Sequence, residues 1–194
     1  MDRDFSKYYK DEREIRYKRR HTVSHLIDTK NPTYINKIHE LFLEETEDKR
    51  NLWFDIKDSK GELRDFLKDV SDIWQQTDKD INLHPELIAK QCFYALITTS
   101  VKNQTGKLPV NLVVALVKKK VWIPERGVAY ALQIFDQKEK ANLLIDLTEH
   151  IPPDSEEWKE AVKESLNTVK NIEDEFYRAN VLNDLIEKLP LNTL

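Results

Sequence analysis

From residue 30 onward, apolar side chains recur at steps of three and four. Tyr34, Ile35, Ile38, Leu41 and Phe42 form one stripe, and Leu63, Phe66, Leu67, Val70, Ile73 and Trp74 form a second. Leu87, Ile88, Cys92, Ala95 and Leu96 form a third, which predicts that Cys92 lies in the core. Shorter stripes follow: Leu112, Val113, Leu116 and Val117, then Val128, Ala131, Leu132 and Phe135, then Ala141, Leu144, Leu147 and Thr148. This is the period of an amphipathic helix, whose buried face returns every 3.6 residues. No segment alternates with the period of two that a half-buried strand requires. The pattern predicts an all-α protein of about eight or nine helices.

Punctuation agrees with the stripes. Asn31-Pro32, His84-Pro85, Leu108-Pro109 and Ile123-Pro124 read as helix starts, where the missing proline N–H would have no partner anyway. Pro152-Pro153 and Pro190 read as stops. Asp136-x-x-Glu139 and Asp154-x-x-Glu157 have the form of capping boxes.

The chain also resembles itself. Shifted by 38 residues, DQKEKANLLIDLTEHIP (Asp136–Pro152) falls on DEFYRANVLNDLIEKLP (Asp174–Pro190), with eight of seventeen positions identical. Ala141 pairs with Ala179, Leu144 with Leu182, Leu147 with Leu185, and upstream Ile134 with Ile172. Each unit reads as a helix, a turn at Ile-x-Asp, and a second helix ending at proline. The small alanines suit close helix approach, and the leucine pairs fill the layer between helices. Such a pair cannot bury both faces alone, so neighbours must stack. The two units span about residues 122–153 and 158–190, beginning near Trp122 and Trp158. The segment Leu87–Pro109 ends in the same Leu-Pro and reads as a degenerate third unit.

The stretch LPVNLVVALVKKKVWIPERGVAYALQIFDQKEKANLLIDLTEHIP, followed by IEDEFYRANVLNDLIEKLP, resembles a helical repeat of large multidomain bacterial proteins. Those proteins join such repeats to NTPase, caspase-like or other effector domains in signalling and conflict systems. The resemblance runs from Leu108 to Pro190 and implies a HEAT- or TPR-like scaffold. It transfers no catalytic residue. The Gly and Tyr that the TPR signature places soon after its Trp are missing after Trp122. Residues 1–80 show no family resemblance and form an N-terminal helical segment ahead of a repeat domain at 81–194.

Composition narrows the function. With only three glycines, at Gly61, Gly106 and Gly127, no Gly-rich phosphate loop or nucleophile elbow can be built. Cys92 is the only cysteine, which fits a reducing compartment and excludes a cysteine-based metal site. No apolar run approaches the ~20 residues that span a bilayer, and the charged N-terminus lacks a signal-peptide core. The cytoplasm is the expected location.

Two constellations carry candidate chemistry. His21-x-x-x-His25-x-x-Asp28 places two imidazoles on one helical face, but no supporting ligand shell is visible, and exposed histidines are the simpler reading. No metal or other cofactor is expected. Residues 1–20 hold eight Lys/Arg and five Asp/Glu, a net of +3 against −4 for the whole chain. Arg16, Lys18, Arg19 and Arg20 cluster there with Tyr8, Tyr9 and Tyr17, a mixture able to grip phosphates and stack on bases. Acids in the same segment dilute it, so docking onto a protein is equally open. Lys118-Lys119-Lys120 is explained by the dipole of the helix it follows. The sequence therefore predicts a non-catalytic scaffold or adaptor binding another protein, with a nucleic-acid-associated regulator as the alternative.

Overall fold

A computed structural model describes residues 12–80, 87–153 and 155–188. They form ten α-helices and no strand; an isolated bridge joins Glu45 and Asn51. The protein is all-α, as the periodicity predicts. It divides into two compact units, one of residues up to Lys57 with Arg64–Thr98, the other of Asp58–Leu63 with Thr99 onward.

The first unit is built on α1 (Glu12–Asp28), α2 (Pro32–Leu43), most of α3 (Leu52–Ser59) and α4 (Leu63–Asp80), and the first part of α5 (Leu87–Thr105). Asn31 caps α2 by accepting from the Thr33 N–H, and Pro32 occupies the first turn. The core holds Val23, Ile38, Phe42, Phe66, Val70 and Ile73 with Tyr94. The Phe42 ring meets Phe66 at 5.9 Å and the edge of Tyr94 at 5.7 Å.

Along α5 the buried positions are Tyr94, Val101 and Thr105. Ile88 and Leu96 are exposed, and so is Cys92, which corrects its expected place in the core. Apolar residues surround the first turns of α5 on every side, so periodicity does not select a face. Leu87–Thr105 is also one continuous helix, so the expected third unit contains no hairpin of its own.

The second unit contains α6 (Val110–Lys118), α7 (Pro124–Ala131), α8 (Gln137–Thr148), α9 (Glu156–Lys170) and α10 (Glu175–Lys188). Helix α8 is its centre and is buried on two sides. Leu143, Leu144 and Leu147 join Val113, Val117, Val128, Ala131 and Trp158 in one cluster. Ala141 and Ile145 face the other way, against Val169, Ile172, Val181 and Leu185. Gly127 lets α7 approach this layer: a Cβ there would lie 2.6 Å from Val117 Cγ2 and 3.3 Å from Leu147 Cδ2.

Both Ile-x-Asp turns are present. Ile134 and Ile172 are buried, Asp136 caps α8 by accepting from the Lys138 and Glu139 N–H groups, and Asp174 accepts from the Tyr177 N–H. The cap of α9 is Ser155, which accepts from the Trp158 N–H. Asp154 lies outside the described residues, as do Tyr8, Tyr9, Pro85 and Pro190. Phe135 belongs to an exposed turn rather than to the buried stripe on which its spacing placed it.

Candidate interaction surfaces

Helix α1 divides the basic quartet. Arg16 and Lys18 are exposed, whereas Arg19 and Arg20 are half-buried. The Arg20 guanidinium lies 3.0 Å from Asp65, and the Arg19 carbonyl accepts from Lys57 Nζ at 2.7 Å. Successive helix residues are turned by 100°, so Lys18 shares a face with Tyr17, His21 and His25, while Arg16 and Arg20 lie together on another. The rings of that face form a ladder: Tyr17 to His21 at 4.5 Å, and His21 to His25 at 5.8 Å with their planes 20° apart. Stacked imidazoles do not aim nitrogens at a common point as shared metal ligands do. Among the described residues, no three His, Cys, Asp or Glu side chains come together to hold an ion.

Two polar groupings lie inside the first unit. Lys57 and Asp69 form a buried ion pair, and Trp53 Nε1 donates to the same Asp69 oxygen at 3.0 Å. Burial raises the Asp69 carboxyl to about 6, although Lys57 and Trp53 pull it down. His39 Nδ1 meets the Tyr94 hydroxyl, and burial, helped by Lys90, lowers the imidazole to about 4. Internal hydrogen bonding accounts for both. Neither grouping is legible in local sequence, because each joins residues twelve or more apart in the chain.

In the second unit, Arg126 lies over the Trp122 ring, 4.3 Å from its centroid, and pairs with Asp58. The more accessible feature is the edge formed by the two Ile-x-Asp turns. Lys138 reaches across it, 3.7 Å from Asp174 and 4.5 Å from the Tyr177 ring centroid. A shallow cleft of about 470 Å³ runs between the turns, lined by Asp136, Lys138, Asn171, Ile172, Glu173 and Asp174. Phe135 and Phe176 flank these residues and are 92% and 77% exposed. Phe135 escapes the stripe because α7 ends at Ala131, which takes the following residues out of helical phase and leaves Ile134 to fill the core.

The repeat-packing residues are placed as follows. Ala141, Leu144 and Leu147 are fully buried, Leu185 is buried, Leu182 is half-buried, and Ala179 is exposed. No helix among the described residues is long and apolar enough to cross a membrane. No family model, curated protein or solved structure matches the chain.

Proposed function

We propose that this protein is a non-catalytic scaffold or adaptor that binds another protein, working in the cytoplasm as part of a bacterial signalling or defence assembly. In this reading α7–α8 and α9–α10 are stacked helical hairpins of a HEAT- or TPR-like solenoid, the architecture that the sequence resemblance implies. One observation carries the binding role: Phe135 and Phe176, next in the chain to the turns that line the cleft, leave their rings almost fully exposed. Exposed aromatic anchors beside fixed polar groups are the usual make-up of a protein-binding hot spot. The test is affinity purification of the tagged full chain from its native host, with and without nuclease. A stoichiometric protein that survives nuclease, and is lost from a Phe135→Ser/Phe176→Ser variant, is the expected result. Partners that vanish with nuclease would sink the reading.

A second reading has its own observation. The Tyr17–His21–His25 ring ladder with Lys18 beside it offers stacking surfaces next to a cation, the pairing that single-stranded nucleic acid uses. Nucleic-acid binding there would weaken steeply with salt, and Lys18→Ala would flatten that dependence.

A further inference from the structure

Helices α8 and α10 occupy equivalent places in the repeat, so their surroundings can be compared residue by residue. On α8, Ala141, Ile145 and Thr148 are all buried. The cluster that covers Ala141 and Ile145 includes Val169 from α9, Ile172 from the turn, and Val181 and Leu185 from α10. The same register on α10 holds Ala179, Asn183 and Ile186, and all three are exposed, Ile186 by 59%. Phe176 adjoins them, three residues before Ala179. The surface that receives a hairpin in one unit is thus open in the next, and it retains the small alanine that permits close helix approach.

Charge selects what would cover it. The exposed arc of α10 carries Glu175, Asp184 and Glu187. Neither cation of α10 belongs to that arc. Arg178 is half-buried and donates to the Ile172 carbonyl, while Lys188 is held between Asp146 and Glu149 at 2.7 and 3.0 Å. Pairing α10 with its own copy about a two-fold axis would set these carboxylates against each other.

We propose that the Phe176–Ala179–Ile186 face of α10 docks an amphipathic α-helix of a partner protein, apolar on one side and bordered by Lys or Arg. This rests on the scaffold reading above and gives the partner its chemistry. The contact is the helix-on-helix mode, with anchors at three- and four-residue spacing.

The probe is a synthetic helix of roughly 18 residues, long enough to hold its fold, with a Leu/Ala face bordered by Lys. Its companion carries Glu in place of each Lys. Binding is followed by fluorescence anisotropy with the full chain. The Lys peptide should bind and the Glu peptide should bind at least about tenfold more weakly. Ile186→Asp and Ala179→Glu should each weaken the Lys peptide about tenfold, and Leu112→Ser, at an exposed position of α6, should leave it unchanged. Ile186 and Ala179 are solvent-exposed, so circular dichroism should show both variants folded. Equal affinity of wild type and both variants would overturn the proposal. So would a wild-type dimer in sedimentation that Ile186→Asp disperses, because a second copy would then own the face. The scaffold reading fails separately, on loss of the host partner with nuclease.

Discussion

Lys57 Nζ lies 3.0 Å from Asp69 Oδ2 with both side chains closed off from water. Two more bonds complete the arrangement: Lys57 donates to the Arg19 carbonyl, and Trp53 donates to Asp69. The ammonium also sits 4.9 Å from the Trp53 ring centroid. The pair ties α3 to α4 and to the backbone of α1. Taking two charges out of water is costly, so such a pair adds little net stability over an apolar one, but removing one partner strands the other. Lys57→Met and Asp69→Asn are each expected to destabilise by about 3–5 kcal/mol. The double variant should cost less than the sum of the two. Urea unfolding of the four proteins checks this, and strict additivity would show that the two groups do not act as a pair.

Two buried groups of the first unit give opposite pH dependences. Asp69 titrates near 6 in the fold against 3.8 ordinarily, so the native state holds its proton more tightly. Its contribution therefore rises as pH falls through 6 towards 4 and is lost as pH rises again. His39 titrates near 4 against 6.5, so the unfolded chain takes its proton first. Its contribution is present above pH 6.5 and is lost as pH falls towards 4. Between pH 7.5 and 4.5 linkage gives about +2 kcal/mol for Asp69 and about −2.5 kcal/mol for His39. The two nearly cancel in the wild type. His39→Gln should unmask the gain on acidification and Asp69→Asn the loss. Their stability changes over that range should differ by about 4–5 kcal/mol, and identical pH profiles would refute the assignment.

Gly61 and Gly127 are both hemmed in, by different neighbours. At Gly127 the obstacle is the end of a side chain, Val117 Cγ2. At Gly61 an added Cβ would meet the backbone of Glu125 and Arg126 at 2.6 and 2.7 Å, and φ is +69°. Gly127→Ala should destabilise by about 1–3 kcal/mol despite its better helix propensity. Trimming the obstacle with Val117→Ala should recover part of that. No single side-chain trim should rescue Gly61→Ala, because rigid backbone is in the way. Thermal unfolding of the singles and the Val117→Ala/Gly127→Ala double checks both claims.

Most of the helical framework is legible in local pattern. Of the stripe Leu63, Phe66, Leu67, Val70, Ile73 and Trp74, all but the half-buried Leu67 and Trp74 are buried, and both Ile-x-Asp turns stand where the repeat puts them. Local pattern fails where burial is decided at a distance. Tyr94 goes inside because its hydroxyl meets His39, fifty-five residues away, and Cys92 is left outside on the same helix. Lys57 and Asp69 look like ordinary solvated charges until α3 and α4 are packed. The turn edge is half legible: the repeat marks Asp136 and Asp174, while the exposure of Phe135 depends on where α7 stops.

Helix α6 ends in a Schellman motif built without glycine. The Val121 N–H bonds the Leu116 carbonyl and the Lys120 N–H bonds the Val117 carbonyl, which closes the last turn. This geometry puts the residue after the cap in the left-handed region, and Lys120 sits there with φ of 57°. A side chain with a Cβ costs about 1–2 kcal/mol in that conformation, whereas glycine adopts it freely. Lys120 is exposed, and Lys118 and Lys119 still place positive charge at the negative end of the helix dipole. Replacing Lys120 therefore removes strain at little electrostatic cost. Part of the gain is offset by the greater freedom of glycine in the unfolded chain. Lys120→Gly should stabilise the protein by about 0.5–1 kcal/mol, and Lys120→Val should destabilise it, because a β-branched side chain tolerates this region worst. Urea midpoints measured on the three proteins should rank glycine above lysine above valine; a glycine variant no more stable than wild type would show that this turn stores no strain.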